Sequence, residues 1–102
     1  MADIIWSSPA FLALERLPQA TSFGILRLLD GLSHSPRMGH SMDELELPGF
    51  RQLIYRRKNR IIYEYDEAQD CVRILALLDC RQQIPEPKDL KFRPPDEELP
   101  LE

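Results

Sequence analysis

The segment Arg51–Arg60 (RQLIYRRKNR) carries five bases and no acid within ten residues. Side chains alternate along a strand, so Arg51, Leu53, Tyr55 and Arg57 are expected to share one face. Arg60 and Arg81 arise on neighbouring strands and are expected to converge on that same face. Three converging guanidiniums would hold a polyanion, because each offers a planar fork of donors to phosphate or carboxylate. Arg56, Arg57 and Lys58 read either as contacts to a nucleic acid or a protein partner, with Tyr55 beside them, or as charges that solvate a hairpin turn. Tyr55, Tyr63 and Tyr65 have stacking on bases or cross-strand packing as their two readings.

Other chemistry is sparse. His34 and His40 lack ligand-like spacing and read as surface residues. Asp43, Glu44 and Glu46 read as solvated acids on a polar edge rather than a metal site. Neither a Gly-rich phosphate loop, a nucleophile elbow nor a zinc-ligand pattern is present, so neither metal nor cofactor is expected. Cys71 and Cys80 bracket an apolar run. In an extended strand their Cα atoms would stand about 30 Å apart, too far for a disulfide. Free thiols fit a reducing, cytoplasmic setting.

The elements that must position these residues follow from periodicity. Ile4, Ile5 and Trp6 suggest a buried first strand. Ser8 and Pro9 supply a helix start, and Phe11, Leu14 and Leu17 recur at helical spacing. Pro18 interrupts or reopens the helix, and Ile25, Leu28, Leu29 and Leu32 form the stripe of a second one. Leu45 and Leu47 alternate with acids and predict a strand. Phe50–Arg57 and Arg60–Tyr65 read as a hairpin, and 72–78 as the most hydrophobic strand, hence central. Helices grouped ahead of a strand meander indicate an α+β domain.

The chain has 102 residues, 43% apolar and 29% charged, with net charge −4, which suits one compact domain. That balance excludes a uniformly basic nucleic-acid coat. The apolar runs are a few residues long, against about 20 for a bilayer span. The N-terminus does not read as a secretory signal. Five of nine prolines fall in 85–102, where three bases face six acids, whereas 1–84 holds ten bases and eleven acids. The expected organisation is therefore a folded domain over 1–84 and a Pro-rich acidic tail over 85–102. Asp96, Glu97 and Glu98 would shield the arginines if that tail folded back.

The ordered set of segments resembles the RelE/ParE superfamily, the toxins of type II toxin–antitoxin modules, also known as plasmid stabilisation proteins. The likeness is carried by a strand ending Ser-Pro, a helical hairpin closing on 35–39 (SPRMG), then 49–53 (GFRQL), 60–64 (RIIYE) and 72–81 (VRILALLDCR). It implies a βααβββ domain with a helical hairpin on an antiparallel sheet, and a cognate antitoxin as partner. It also implies growth inhibition through one of two targets. RelE-like members cleave ribosome-bound messenger RNA, in which case Arg51, Arg60 and Arg81 stand where catalytic bases are expected. ParE-like members act on DNA gyrase and are not nucleases. Leu53 replaces a lysine of the RelE-like set, and 82–85 (QQIP) lacks its late Tyr or His. These departures favour the ParE-like branch. A third reading is a binding module that has lost toxicity.

Overall fold

The computed structural model describes residues 1–92. Strand β1 (Asp3–Trp6) leads into helices α1 (Ser8–Glu15) and α2 (Gln19–His34), and these are followed by β2 (His40–Ser41), β3 (Phe50–Tyr55), β4 (Asn59–Asp66) and β5 (Cys71–Asp79). The sheet runs β1-β5-β4-β3-β2. β2 to β5 are antiparallel neighbours, and β1 pairs with β5 in parallel. The α+β class and the helical pair agree with the sequence. The sheet itself is mixed and five-stranded, because the two helices form the crossover that lets β1 return beside β5 in parallel.

Several expectations need correction. β1 is an edge strand with Ile5 exposed, not a buried one. β5 lies one place from the edge, and β4 occupies the centre. Leu45 and Leu47 are not in a strand. A one-turn 3-10 helix spans Asp43–Leu45, and Glu46 follows it with φ 60, which turns the chain so that Leu47 is buried. Asp43, Glu44 and Glu46 are exposed there. The helix start also differs. Ser7, not Ser8, precedes α1, and its hydroxyl donates to the Leu75 carbonyl at 3.2 Å instead of capping the helix. That bond is demanded by burial, since Ser7 is fully enclosed and an unpaired hydroxyl there would be costly. Leu75 sits where the β4–β5 register slips between Ile62 and Tyr63, a bulge that leaves its carbonyl available.

The sheet has a core on each side. On the helix side Ala10, Leu14, Ile25, Leu29 and Leu32 pack on Ile61, Tyr63, Val72, Ile74 and Leu77. Reciprocal bonds tie the end of α2 to the start of the chain: Ala2 N–H donates to Ser33 O at 2.8 Å, and the Ser33 hydroxyl donates to Ala2 O at 2.8 Å. On the opposite side Ile62, Leu75 and Ala76 are covered by Met42, Leu47 and Leu90, with Phe50, Leu78, Ile84 and Phe92 around them. Residues 85–92, read from sequence as the start of an extended tail, thus lie on the sheet beside Ile84 and include a one-turn 3-10 helix, Pro87–Asp89. Phe92 is seated over the Arg73 guanidinium, 5.9 Å from its ring centroid. The cluster Asp96, Glu97 and Glu98 lies outside the described residues. Cys71 and Cys80 are free thiols at the two ends of β5. Among the described residues no helix is long and apolar enough to cross a membrane.

Candidate functional site

The β3–β4 register decides where the arginines point. Arg51 pairs with Tyr63, Leu53 with Ile61, and Arg60 with Ile54. Cross-strand partners share a face, and Ile61 and Tyr63 belong to the helix-side core while Ile62 belongs to the other. Arg51 therefore stands on the helix side and Arg60 on the opposite side. Arg81 lies in the turn after β5, exposed, and donates to its neighbour Asp79 at 3.1 and 3.3 Å. The expected convergence of Arg51, Arg60 and Arg81 on one face does not occur. Arg57 also leaves the face assigned to it, because β3 ends at Tyr55.

Each arginine has its own local occupation. Arg51 Nη1 donates to the carbonyls of Gly39 at 2.8 Å and Arg37 at 3.2 Å. Beside it the Tyr63 hydroxyl accepts from Gly39 N–H at 2.9 Å and donates to Pro36 O at 2.8 Å. Arg51 and Tyr63 together pin the loop that follows α2. Burial raises the Tyr63 phenol above its ordinary range, against the opposing pull of the Gly39 bond and the Arg51 charge. Arg60 is half-buried and donates through Nη1 to Gln52 Oε1. Its Nε has no partner among the described residues. In the Arg81–Asp79 pair, the side-chain bond raises the guanidinium and lowers the carboxyl. With Arg81 exposed and Asp79 half-buried at the surface, this pair adds little to stability.

The hairpin tip is the most distorted backbone in the site. Lys58 N–H donates to Tyr55 O at 2.9 Å, closing a turn in which Arg56 (φ 51) and Arg57 (φ 59) are both left-handed. Asn-Gly ordinarily fills such a turn. A left-handed L-residue costs about 1–2 kcal/mol relative to its preferred region. Arg56 lies over the Tyr55 ring, 5.4 Å from its centroid, and the Tyr55 hydroxyl reaches α2 at Gly24. So Tyr55 packs against a helix, and Tyr63 and Tyr65 are likewise engaged within the fold, Tyr65 donating to Asp70 Oδ1 at 2.7 Å. His34 and His40 are exposed.

Sequence reasoning missed Arg16. It follows α1 and lines one cavity of about 420 Å³ with Lys58, Asn59, Asp79 and Gln82. Counting charge by segment hid it, because Arg16 reaches the hairpin end only once α1 is laid along β5.

Two helices on one face of a five-stranded mixed sheet, entered by a parallel edge strand, is the architecture of RelE toxins. The isolated RelE toxin of E. coli superposes with TM-score 0.70 at 13% identity, covering 81% of this chain and 88% of that one. The RelBE2 toxin–antitoxin complex of Mycobacterium tuberculosis gives 0.67 at 24% identity, over 76% and 96%. The archaeal RelE–RelB complex of Pyrococcus horikoshii OT3 gives 0.55 at 17%, over 80% and 98%. At these identities the likeness defines the fold. No curated protein sequence matches. The family model for the ParE toxin of the type II toxin–antitoxin system parDE matches residues 4–84. The chain belongs to that family, and is thus a type II toxin of the RelE/ParE superfamily. Its packed structure continues beyond the matched span, to Phe92.

Proposed function

We propose that this toxin inhibits growth by acting on DNA gyrase without cutting nucleic acid, that residues 1–84 form its inhibitory domain, and that a cognate antitoxin neutralises it. The observation that carries the reading is the separation of Arg51, Arg60 and Arg81 onto two sheet faces and a solvent-exposed turn. Phosphodiester cleavage of the RelE type needs basic groups gathered around one developing charge. Arginine alone is a poor proton acceptor, because it stays protonated far above neutral pH. Arg51 is engaged by backbone carbonyls and Arg81 by a carboxylate, so neither is held ready for a substrate phosphate. The parDE description of the matching family favours the same branch.

The antitoxin rests on two supports. The RelE relatives from M. tuberculosis and P. horikoshii were solved as toxin–antitoxin complexes. On this chain Phe11, Leu12, Phe23 and Leu26 leave an exposed apolar surface on the helices, of the kind a partner covers. The competing reading, ribosome-dependent messenger cleavage, draws on the RelE fold and on Arg60, whose unpartnered Nε is the least satisfied polar group among these arginines.

Purified protein added to gyrase, ATP and relaxed plasmid is expected to block supercoiling, and added antitoxin to restore it. Full supercoiling at a large excess of toxin would overturn the gyrase reading.

A further inference from the structure

Among the described residues, the bases are concentrated in one part of the fold. Arg16, Arg56, Arg57, Lys58, Arg60 and Arg81 all lie at the end formed by the β3–β4 turn, the end of α1 and the turn after β5. Among the described residues, Glu15 and Asp79 are the acids of these segments. The rest of residues 1–92 carries six bases and eleven acids. Among the described residues, Arg16, Arg56, Arg57 and Lys58 form no ion pair. All four are exposed.

We propose that this end is a binding surface for the phosphate backbone of duplex DNA. The inference stands apart from the gyrase reading, since it concerns what the protein binds directly. Three observations point to it. The turn keeps two consecutive arginines left-handed, where a strain-free turn would carry Asn-Gly. That arrangement sets two exposed arginines side by side at the tip, and guanidiniums match phosphate geometry. Behind the tip, one cavity is flanked by Arg16 and Lys58, which sets two further exposed cations beside the turn. Finally, the surface is charged without an aromatic platform. Tyr55 is turned against α2 and covered by Arg56. Single strands are ordinarily held by stacking bases on exposed rings, whereas a duplex backbone needs only positioned cations. The acidic remainder of residues 1–92 disfavours phosphate contact elsewhere.

The test is fluorescence anisotropy of the full chain with a labelled 24-base-pair duplex, the corresponding single strand and a poly-glutamate peptide, from 50 to 300 mM KCl. Four unpaired cations predict a slope of log affinity against log salt of about −3.6. The double variant R56N/R57G is expected to reduce that slope by about 2 and to weaken binding on the order of 60-fold at 0.1 M salt. Its turn is better suited to the backbone, so its melting temperature should equal or exceed that of the parent, which separates lost binding from lost folding. Arg37→Ala, at the opposite end, should leave duplex binding unchanged. Absence of duplex binding at 50 mM KCl would overturn the proposal. So would unchanged binding by R56N/R57G, or tighter binding of the single strand or of poly-glutamate than of the duplex.

Discussion

Replacing Leu90 by alanine is expected to destabilise the protein by about 2–4 kcal/mol, as for other buried leucines. Leu90 is 3% exposed and fills the space between Met42, Leu47 and the Ile62–Ala76 surface of the sheet. The effect is notable because Leu90 lies beyond the span that matches the ParE toxin family, residues 4–84. Among the described residues, no backbone hydrogen bond joins residues 84–92 to the sheet. The bonds of Asp89 and Leu90 run to Glu86 and Pro87 within the segment itself. Side-chain burial must therefore hold it in place, through Ile84, Leu90 and Phe92. In a domain of this size 1 kcal/mol moves the melting temperature by about 4–8 °C. A drop on the order of 10 °C or more is the expected result in a thermal melt. An unchanged midpoint would mean that the segment is not packed on the sheet in solution.

Gly39→Ala is expected to cost a similar amount, about 3 kcal/mol, for the opposite reason. A Cβ at this position would meet the Tyr63 hydroxyl at 2.6 Å, the ring carbon Cε1 at 2.7 Å and the Gln52 carbonyl at 2.8 Å. Overpacking of this kind costs about 1–3 kcal/mol. Displacing Tyr63 would also strain its bonds to Gly39 and Pro36, each worth about 1 kcal/mol. The ring cannot swing aside, because Tyr63 is fully buried at the centre of the sheet. Gly31→Ala is the control. Its Cβ would find only Met38 Cε, at 3.7 Å, within the α2 helix where alanine is preferred by up to about 1 kcal/mol. Urea titration of the pair should show Gly39→Ala falling well below the parent and Gly31→Ala equal to it or above. Equal stability for both would contradict the packing described around Tyr63.

Much of the scaffold was legible in the sequence. The stripe Ile25, Leu28, Leu29 and Leu32 located α2 because only a helix gathers those positions on one side. The charged run located the hairpin, although β3 ends at Tyr55, two residues short of the expected Arg57. The arrangement of the arginines was not legible, and the reason is one residue of loop length. Three residues separate Tyr55 from Asn59, so paired positions in β3 and β4 are both odd or both even. Arg51 then shares a face with Tyr63, and Arg60 with Gln52 and Ile54. A two-residue loop would have paired odd with even positions and brought Arg51 and Arg60 together, since a single-residue slip exchanges the faces. A polar turn with two left-handed arginines gives no sequence signal of that length. The strand expected from Leu45 and Leu47 failed for a related reason. Two alternating leucines fit a strand, but also a 3-10 turn that exposes one and buries the other. The packing of Ile84, Leu90 and Phe92 was masked by proline density, which excludes regular pairing but not apolar contact.

Arg51, Arg60 and Arg81 stand on two sheet faces and an exposed turn, and so do not act together on one phosphodiester. The most direct test adds the purified toxin to a translating extract and maps the messenger by primer extension. Full-length messenger is expected at toxin concentrations that block gyrase supercoiling. New 5′ ends that appear only on ribosome-bound messenger, and that vanish with Arg60→Ala, would contradict the non-nucleolytic reading.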